Sequence, residues 1–513
     1  MADTISVVSV EVSPDAGHPQ AGAARQRSGS PLNLASPSPK AVLIALIVAS
    51  AALRFGTLNV QSIWLDESAT LLLVHRGFSG MLSHLSESES SPPLYYVLVW
   101  AWAKVFGAGP LGFRSFSALV GTLTVPVMYL AGRSVSTRVG LWAAALAAFN
   151  PAMFYYSQEA RCYGLLILFS AGALVLWQRS LKDPSARNLW LWALLSALAL
   201  LTHYFAVFLF VPETLMLMRR LGLRRTLAPA GAVALVGLAL APLAASQHSA
   251  AGKTEWIEAN SLVSRIGETA KELLVGVYGP LEIVTALLCA LLALAAMARL
   301  VRRAPQRERG AARDLTIVAG VAMALPLLAA ASHAIDVFDG RNVIEIWAPA
   351  AVVLAIGLGG PRAGRTGTAL GVGLCAISLA VIASSDLIPG YRRDDWRGAA
   401  SALSAAPVGG RLIVTEPNGS APLSIYLPSA PVKVRSSGST REVDFVVLRQ
   451  RRTGRSPLAP TPPTKPPSGF RLAGVRKTET YAVSRFLATQ ITLVSVKALE
   501  AAAGTQLEVS AQR

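Results

Sequence analysis

Residues 41–58, AVLIALIVASAALRFGTL, followed at 64–67 by Trp64-Leu65-Asp66-Glu67, decide the fold. The first stretch is close to the ~20 apolar residues that a helix needs to cross a bilayer. The second sets two adjacent carboxylates just beyond its end. Carboxylates at a membrane surface are costly to desolvate, so such a pair is solvated, ion-paired or functional.

Similar apolar runs recur at 113–132, 139–156, 162–178, 189–202, 204–218, 227–246, 281–301, 315–333, 343–360 and 366–385. They predict an all-α polytopic membrane protein of about eleven spans. Composition agrees: 53% of residues are hydrophobic, 15% are charged and the mean hydropathy is +0.47, which excludes an ordinary soluble domain. The net charge of +18 does not signal nucleic acid, because the basic residues form short clusters between apolar runs.

With the N-terminus in the cytoplasm, the inside loops collect Arg133 and Arg138; Arg179, Lys182 and Arg187; Arg219, Arg220, Arg224 and Arg225. They go on to Arg302, Arg303, Arg307, Arg309 and Arg313, and then to Arg362 and Arg365. Every strongly basic short loop then lies on one side, as positive-inside topology requires. Residues 94–106 (LYYVLVWAWAKVF) are read as a juxtamembrane or re-entrant helix in a first outer loop over 59–112, since a further span would reverse every later loop. Residues 189–218 are read as a tight hairpin with His203-Tyr204 at its outer tip.

Residues 1–40, rich in Ser, Pro, Ala and Gly, read as a disordered cytoplasmic tail without a signal peptide. Cys162, Cys289 and Cys375 fall within or beside apolar runs, which argues against a disulfide framework or a metal cluster. The transmembrane domain is expected over 41–385. Beyond it the composition changes, and strand-like runs at 411–415 (RLIVT) and 444–448 (DFVVL), with a Pro-rich insert at 456–468, predict a small α/β extracytoplasmic domain over 386–513. No internal repeat is visible, so the signature of many secondary transporters is missing.

This topology gathers polar groups on the outer face: Asp66 and Glu67, Ser91-Pro92-Pro93, Arg114, Gln158-Glu159-Ala160-Arg161, His203-Tyr204, and Asp336, Asp339 and Arg341. A carboxylate can take the proton of an attacking hydroxyl, and arginines can stabilise a departing phosphate. Together they suit an anionic lipid held at the membrane edge. Each residue also has a plainer reading. Asp66-Glu67 could cap the following helix, Arg114 could snorkel, and Glu159 could pair with Arg161. His203-Tyr204 could be an interfacial anchor, and Arg341 could pair with Asp336 or Asp339.

The order WLDE, SPPLYYVL, FRSFSALVG, GLWAAALAAFNPAMFYYSQEARCYG resembles the GT-C superfamily of membrane glycosyltransferases, in particular its family 39-like bacterial branch. That branch is related to protein O-mannosyltransferases and aminoarabinose transferases. The likeness is densest over 53–163 and continues through LTHYF at 201–205, Arg341 and YRRDDWRGAA at 391–400. It implies a polyprenyl-phosphate sugar donor, inverting transfer on the outer face of the plasma membrane, and Asp66 as base. Glu67 joins Asp66 as a candidate catalytic carboxylate of the acidic motif, and Glu159, the third, takes the second acidic position, where it would orient the acceptor or help hold a divalent cation. Arg114, Arg161 and Arg341 take positions suited to the donor phosphate or the scaffold around it, and Tyr163, His203 and Tyr204 are candidate substrate contacts. The chain departs from the pattern at Ser91, where relatives often carry lysine, and at Arg341-Asn342, where Arg-Tyr is frequent.

The resemblance leaves sugar, acceptor and metal dependence open. The competing readings are a transporter or flippase of a lipid-linked sugar, which would need ionisable groups in mid-helix, and a catalytically silent GT-C-like subunit.

Overall fold

The computed structural model describes residues 37–249, 257, 259–333, 335–403, 405–449 and 458–512. The expected N-terminal tail up to residue 36 and the start of the Pro-rich insert, up to residue 457, lie outside the described residues.

All eleven apolar runs are helical. Among the described residues eight helices are long and apolar enough to cross a membrane: Pro39–Gly56, Pro110–Arg133, Tyr163–Lys182, Leu223–Ser249, Glu282–Arg303, Gln306–Ala331, Gly340–Gly359 and Gly364–Leu387. The remaining three runs form shorter helices, Thr137–Phe149, Ala186–Thr202 and Val207–Leu221. The run at 139–156 is interrupted for a local reason. Pro151 pushes Asn150 into extended backbone, and the Asn150 side chain then caps a second short helix, Pro151–Tyr156, by accepting the Met153 N–H at 3.1 Å. The segment at 94–106 is a helix of 13 residues packed on the first-loop helices Leu65–Val74 and Gly77–Ser88.

Small residues let the helices approach closely. A Cβ on Gly132 would lie 2.9 Å from the Cα of Gly140, which fixes the antiparallel pair Pro110–Arg133 and Thr137–Phe149. A Cβ on Gly121 would lie 2.2 Å from the Ser157 Cβ, so this glycine seats the turn carrying Gln158, Glu159 and Arg161 against the bundle.

The two ends of the bundle differ in character. At one end basic side chains tie loops together: Arg220 pairs with Asp314, and Arg299 reaches the carbonyl of Ala363. At the other end lie the first loop, the 157–162 turn, His203 and the 335–346 segment.

A mixed sheet of β1 (Arg411–Thr415), β2 (Val432–Lys433), β3 (Ser437–Leu448), β4 (Arg471–Lys477), β5 (Tyr481–Ser495) and β6 (Glu508–Gln512) packs on this second end. Its order is β2-β6-β1-β3-β5-β4. Only the β1–β3 pairing is parallel, with Ile413 opposite Asp444; the other four are antiparallel. Apolar residues bury both faces of the sheet, one around Trp396 and Leu423 and the other around Phe445 and Phe486. The two runs read as strands in the sequence are β1 and the end of β3. This layer grips the first loop: the Ile63 N–H donates to the Tyr426 hydroxyl at 2.7 Å, and the Arg397 N–H donates to Ser62 Oγ at 2.9 Å.

Candidate active site

Asp66 and Glu67 lie in the first turn of the helix Leu65–Val74, where carboxylates favour the helix dipole. Neighbours on a helix point about 100° apart, and the two have opposite fates. Glu67 is fully buried and accepts four N–H groups. These are Arg114 Nε at 2.7 Å, Arg114 Nη2 at 2.5 Å, the Ala160 N–H at 2.9 Å and Arg393 Nη1 at 3.2 Å. Burial pushes its pKa up, but Arg114, Arg393 and the Ala160 N–H outweigh burial and hold it below the usual carboxylate range.

Arg114 is equally committed. Beyond Glu67 it donates to the carbonyls of Leu58 at 3.1 Å, Gln61 at 2.7 Å and Ser62 at 2.8 Å. Five donors meet five acceptors, so no Arg114 N–H remains for a phosphate. The pair Glu67–Arg114 fastens the first loop to the bundle.

Asp66 faces the opening, and its side chain is 25% exposed. Its Oδ2 accepts Arg341 Nη1 at 2.7 Å, while Arg341 Nε donates to Asp339 Oδ1 at 3.2 Å. Arg341 stands on a short 3-10 segment, Gly340–Ile346, whose approach is clamped by Arg265: its guanidinium holds Asp336 through two bonds of 2.7 and 2.6 Å and also reaches the Phe338 carbonyl at 2.8 Å. Of the two pairings open to Arg341 in the sequence, Asp339 is made and Asp336 belongs to Arg265, while Asp66 is added from across the fold.

Arg161 also reaches Asp66, donating to its backbone carbonyl at 3.3 Å and to Thr70 Oγ1 at 3.2 Å. Its charge is met by the buried Glu89, at 2.7 Å, rather than by Glu159. The buried Nε of Arg161 has no hydrogen-bond partner.

Glu159 is fully buried, and neither of its oxygens has a hydrogen-bond partner. Its nearest ion partner is Arg393 Nη2 at 3.9 Å. Burial raises its pKa to about 7; Arg393 opposes the rise, while Glu67 and Asp66 add to it. Arg393 stacks on Tyr155 with its guanidinium carbon 4.0 Å from the ring centre, and its Nε is also buried without a partner. A narrow crevice opens beside it, walled by Tyr155, Tyr278, Tyr391, Gln61 and Gln158.

Tyr163 and His203 form an aromatic wall, with rings 5.8 Å apart. Burial, with Arg161 and Arg341 nearby, lowers the His203 pKa to about 3, so its imidazole is neutral. Tyr204 turns elsewhere. Its hydroxyl donates to Gln247 Oε1 at 2.7 Å, and Gln247 Nε2 in turn holds the carbonyls of Leu85 and Ser91, a strut for the first loop.

The structure thus brings Asp66, Glu67, Glu159, Arg114, Arg161, Arg341, Tyr163 and His203 to one end of the bundle. It adds Glu89 and Arg393, which sequence reasoning had not selected. Arg393 stands inside the YRRDDWRGAA motif, so the motif itself was the available signal; Glu89 stands in a Ser/Glu stretch with none. Among the described residues no group of three or more His, Cys, Asp or Glu is placed to hold a metal ion. The acidic groups here are interleaved with four guanidinium groups, a set that suits an anionic ligand better than a divalent cation.

The family description dolichyl-phosphate-mannose-protein mannosyltransferase matches residues 90–246, which include Arg114, Glu159, Arg161, Tyr163 and His203. No curated protein matches the sequence at a significant level. Among solved structures, ArnT from Cupriavidus metallidurans bound to undecaprenyl phosphate is 12% identical, with a TM-score of 0.54 over 86% of this chain and 97% of that one. The apo state of the same protein gives 12% identity and a TM-score of 0.55 over 87% of this chain and 98% of that one. At such identities the likeness is one of fold.

Proposed function

We propose that this chain, which has the fold of the GT-C membrane glycosyltransferases, moves a sugar from a polyprenyl-phosphate donor to an acceptor hydroxyl at the outer face of a bacterial plasma membrane. One observation carries the reading: Asp66 is a partly open carboxylate with Arg341 on its Oδ2 and Arg161 on its backbone carbonyl. A base and phosphate-binding cations therefore meet at one point.

In the proposed step the acceptor hydroxyl gives its proton to Asp66 while its oxygen forms a bond to the anomeric carbon. The bond from that carbon to the phosphate oxygen breaks, and the electron pair leaves with the polyprenyl phosphate. Arg341 and Arg161 meet the charge that develops there. Arg114 and Glu67 are positioning residues in this scheme, because their donors and acceptors are already matched to each other and to the first loop. Glu159, buried and poised near neutrality, serves to orient the acceptor. The extracytoplasmic assignment rests on the basic clusters lying at the opposite end of the bundle.

The transporter reading needs ionisable groups along a path through the helices. Glu213 is a buried carboxylate in the helix Val207–Leu221, but its Oε2 is held by the Trp192 indole N–H at 2.7 Å, as suits a structural contact.

The test is sugar transfer from radiolabelled polyprenyl-phosphate sugars in membranes carrying the intact chain or Asp66→Asn. The substitution keeps shape and removes the base, and transfer should fall about 10²–10⁴-fold at equal expression. Equal transfer by both chains would remove Asp66 as base. No transfer from a broad donor and acceptor panel would shift the reading to a transporter or a silent subunit.

A further inference from the structure

At the bundle end opposite Asp66, the last turns of two neighbouring helices converge. Arg133 closes Pro110–Arg133, and Arg179 and Lys182 close Tyr163–Lys182. Between them lies a groove of about 540 Å3 lined by these three cations, Gln178, Leu130 and Val175. No carboxylate is among its lining residues. Among the described residues Lys182 donates to the Ser134 carbonyl alone, and Arg133 lies over the Tyr129 ring at 5.8 Å. The nearby Asp183 is engaged by Asn188 at 3.1 Å, and Arg307 adds further positive charge beside Lys182. Elsewhere at this end cations do find carboxylates, as where Arg220 and Arg313 share Asp314.

Cations in a last helical turn are ordinary, because they complement the helix dipole. That does not account for Gln178. Its side chain is 7% exposed, lines the groove, and has its Oε1 buried with no hydrogen-bond partner. A buried acceptor left unmet is unfavourable unless a ligand or water supplies a donor. The groove also has an apolar side, since Leu130 is 38% exposed beside it.

We infer that this groove binds an anionic glycerophospholipid whose headgroup carries a free hydroxyl, with the phosphate among Arg133, Arg179 and Lys182 and the hydroxyl on Gln178 Oε1. An acyl chain would follow Leu130 into the bilayer. The site is separate from the proposed reaction centre, and basic pockets between helices on the cytoplasmic side suit such headgroups.

Native mass spectrometry of the full chain in detergent tests this, with titrations of dioleoylphosphatidylglycerol, dioleoylphosphatidylmethanol and dioleoylphosphatidylcholine. The intact chain should retain one phosphatidylglycerol in preference to phosphatidylcholine, and Arg179→Gln should weaken that binding about fivefold. Gln178→Met should weaken phosphatidylglycerol but leave phosphatidylmethanol, which has the same charge and no hydroxyl, unchanged. Arg224→Gln removes one charge from the same end outside the groove and should change neither. Equal retention of phosphatidylglycerol and phosphatidylcholine would overturn the inference. So would equal losses in Arg179→Gln and Arg224→Gln, or displacement of the lipid by glycerol phosphate at similar concentrations. Should Arg179→Gln not fold, Lys182→Gln makes the same test.

Discussion

Replacing Glu67 by Gln should destabilise the protein far more than replacing its neighbour Asp66 by Asn, although the two changes are chemically alike. Glu67 accepts four N–H groups with no exposure, two of them from Arg114, which is itself 2% exposed. A glutamine there keeps one acceptor oxygen, turns an amide N–H₂ towards a donor, and leaves the Arg114 charge buried without its counter-ion. Removing one partner of a buried pair costs about 3–5 kcal/mol. The Asp66–Arg341 pair is 25% and 21% exposed, and Arg341 retains Asp339, so losing it costs at most about 1 kcal/mol. Thermal unfolding of the two variants in detergent, followed by tryptophan fluorescence, should show a fall of several degrees for Glu67→Gln and a small one for Asp66→Asn. Transfer should show the opposite: Asp66→Asn is folded and inactive, while folded Glu67→Gln at low temperature keeps measurable activity. A Glu67→Gln chain as stable as the parent would refute the assignment of this carboxylate as the anchor of the first loop.

Glu159→Gln should remove an ionisation near pH 7 from the pH profile of transfer, because burial raises the Glu159 pKa to about 7. The sign for stability follows: the raised carboxyl favours folding at low pH and disfavours it increasingly from its unfolded pKa up to about 7. The variant should therefore be more stable than the parent at pH 8, by about 1–3 kcal/mol, and similar at pH 4; parallel melting curves across pH would sink this. Arg265→Ala should release the clamp on Asp336 and the Phe338 carbonyl, loosening the segment that presents Arg341. The donor KM should rise severalfold with kcat little changed, and an unaltered KM would mean that Arg341 is held without that clamp.

The helices were legible because bilayer-length apolar runs leave few alternatives, and β1 and the end of β3 because RLIVT and DFVVL are short apolar runs rich in β-branched residues. The ion-pair partners were not. Glu89 stands in SESESSPP and reads as a solvated loop; only the docking of that loop on the 157–162 turn buries it against Arg161. The division of labour between Asp66 and Glu67 was not legible either. Counting i+3, i+4 and i+7 from Glu67 gives Thr70, Leu71 and Val74, all buried, so Glu67 lies on the core face of its helix. The same count from Asp66 gives Ala69, partly buried, but also Thr70 and Leu73, both buried, so periodicity alone does not separate the anchor from the open carboxylate; the contacts with Arg114 and Ala160 do.

Hydrogen-bond partners likewise decide among the arginines. Arg114 has every donor matched, so recruiting it to a phosphate would break the contacts that hold the first loop. Arg341 is shared between Asp66 and Asp339 at an accessible surface, and a phosphate can compete for it at little structural cost. In the proposed reaction that competition has a direction. A donor phosphate that draws Arg341 towards itself takes that cation off Asp66 Oδ2 and leaves the oxygen free to accept the incoming hydroxyl. The base is then uncovered by the substrate it serves, through an ion pair linking residues 275 positions apart in the chain.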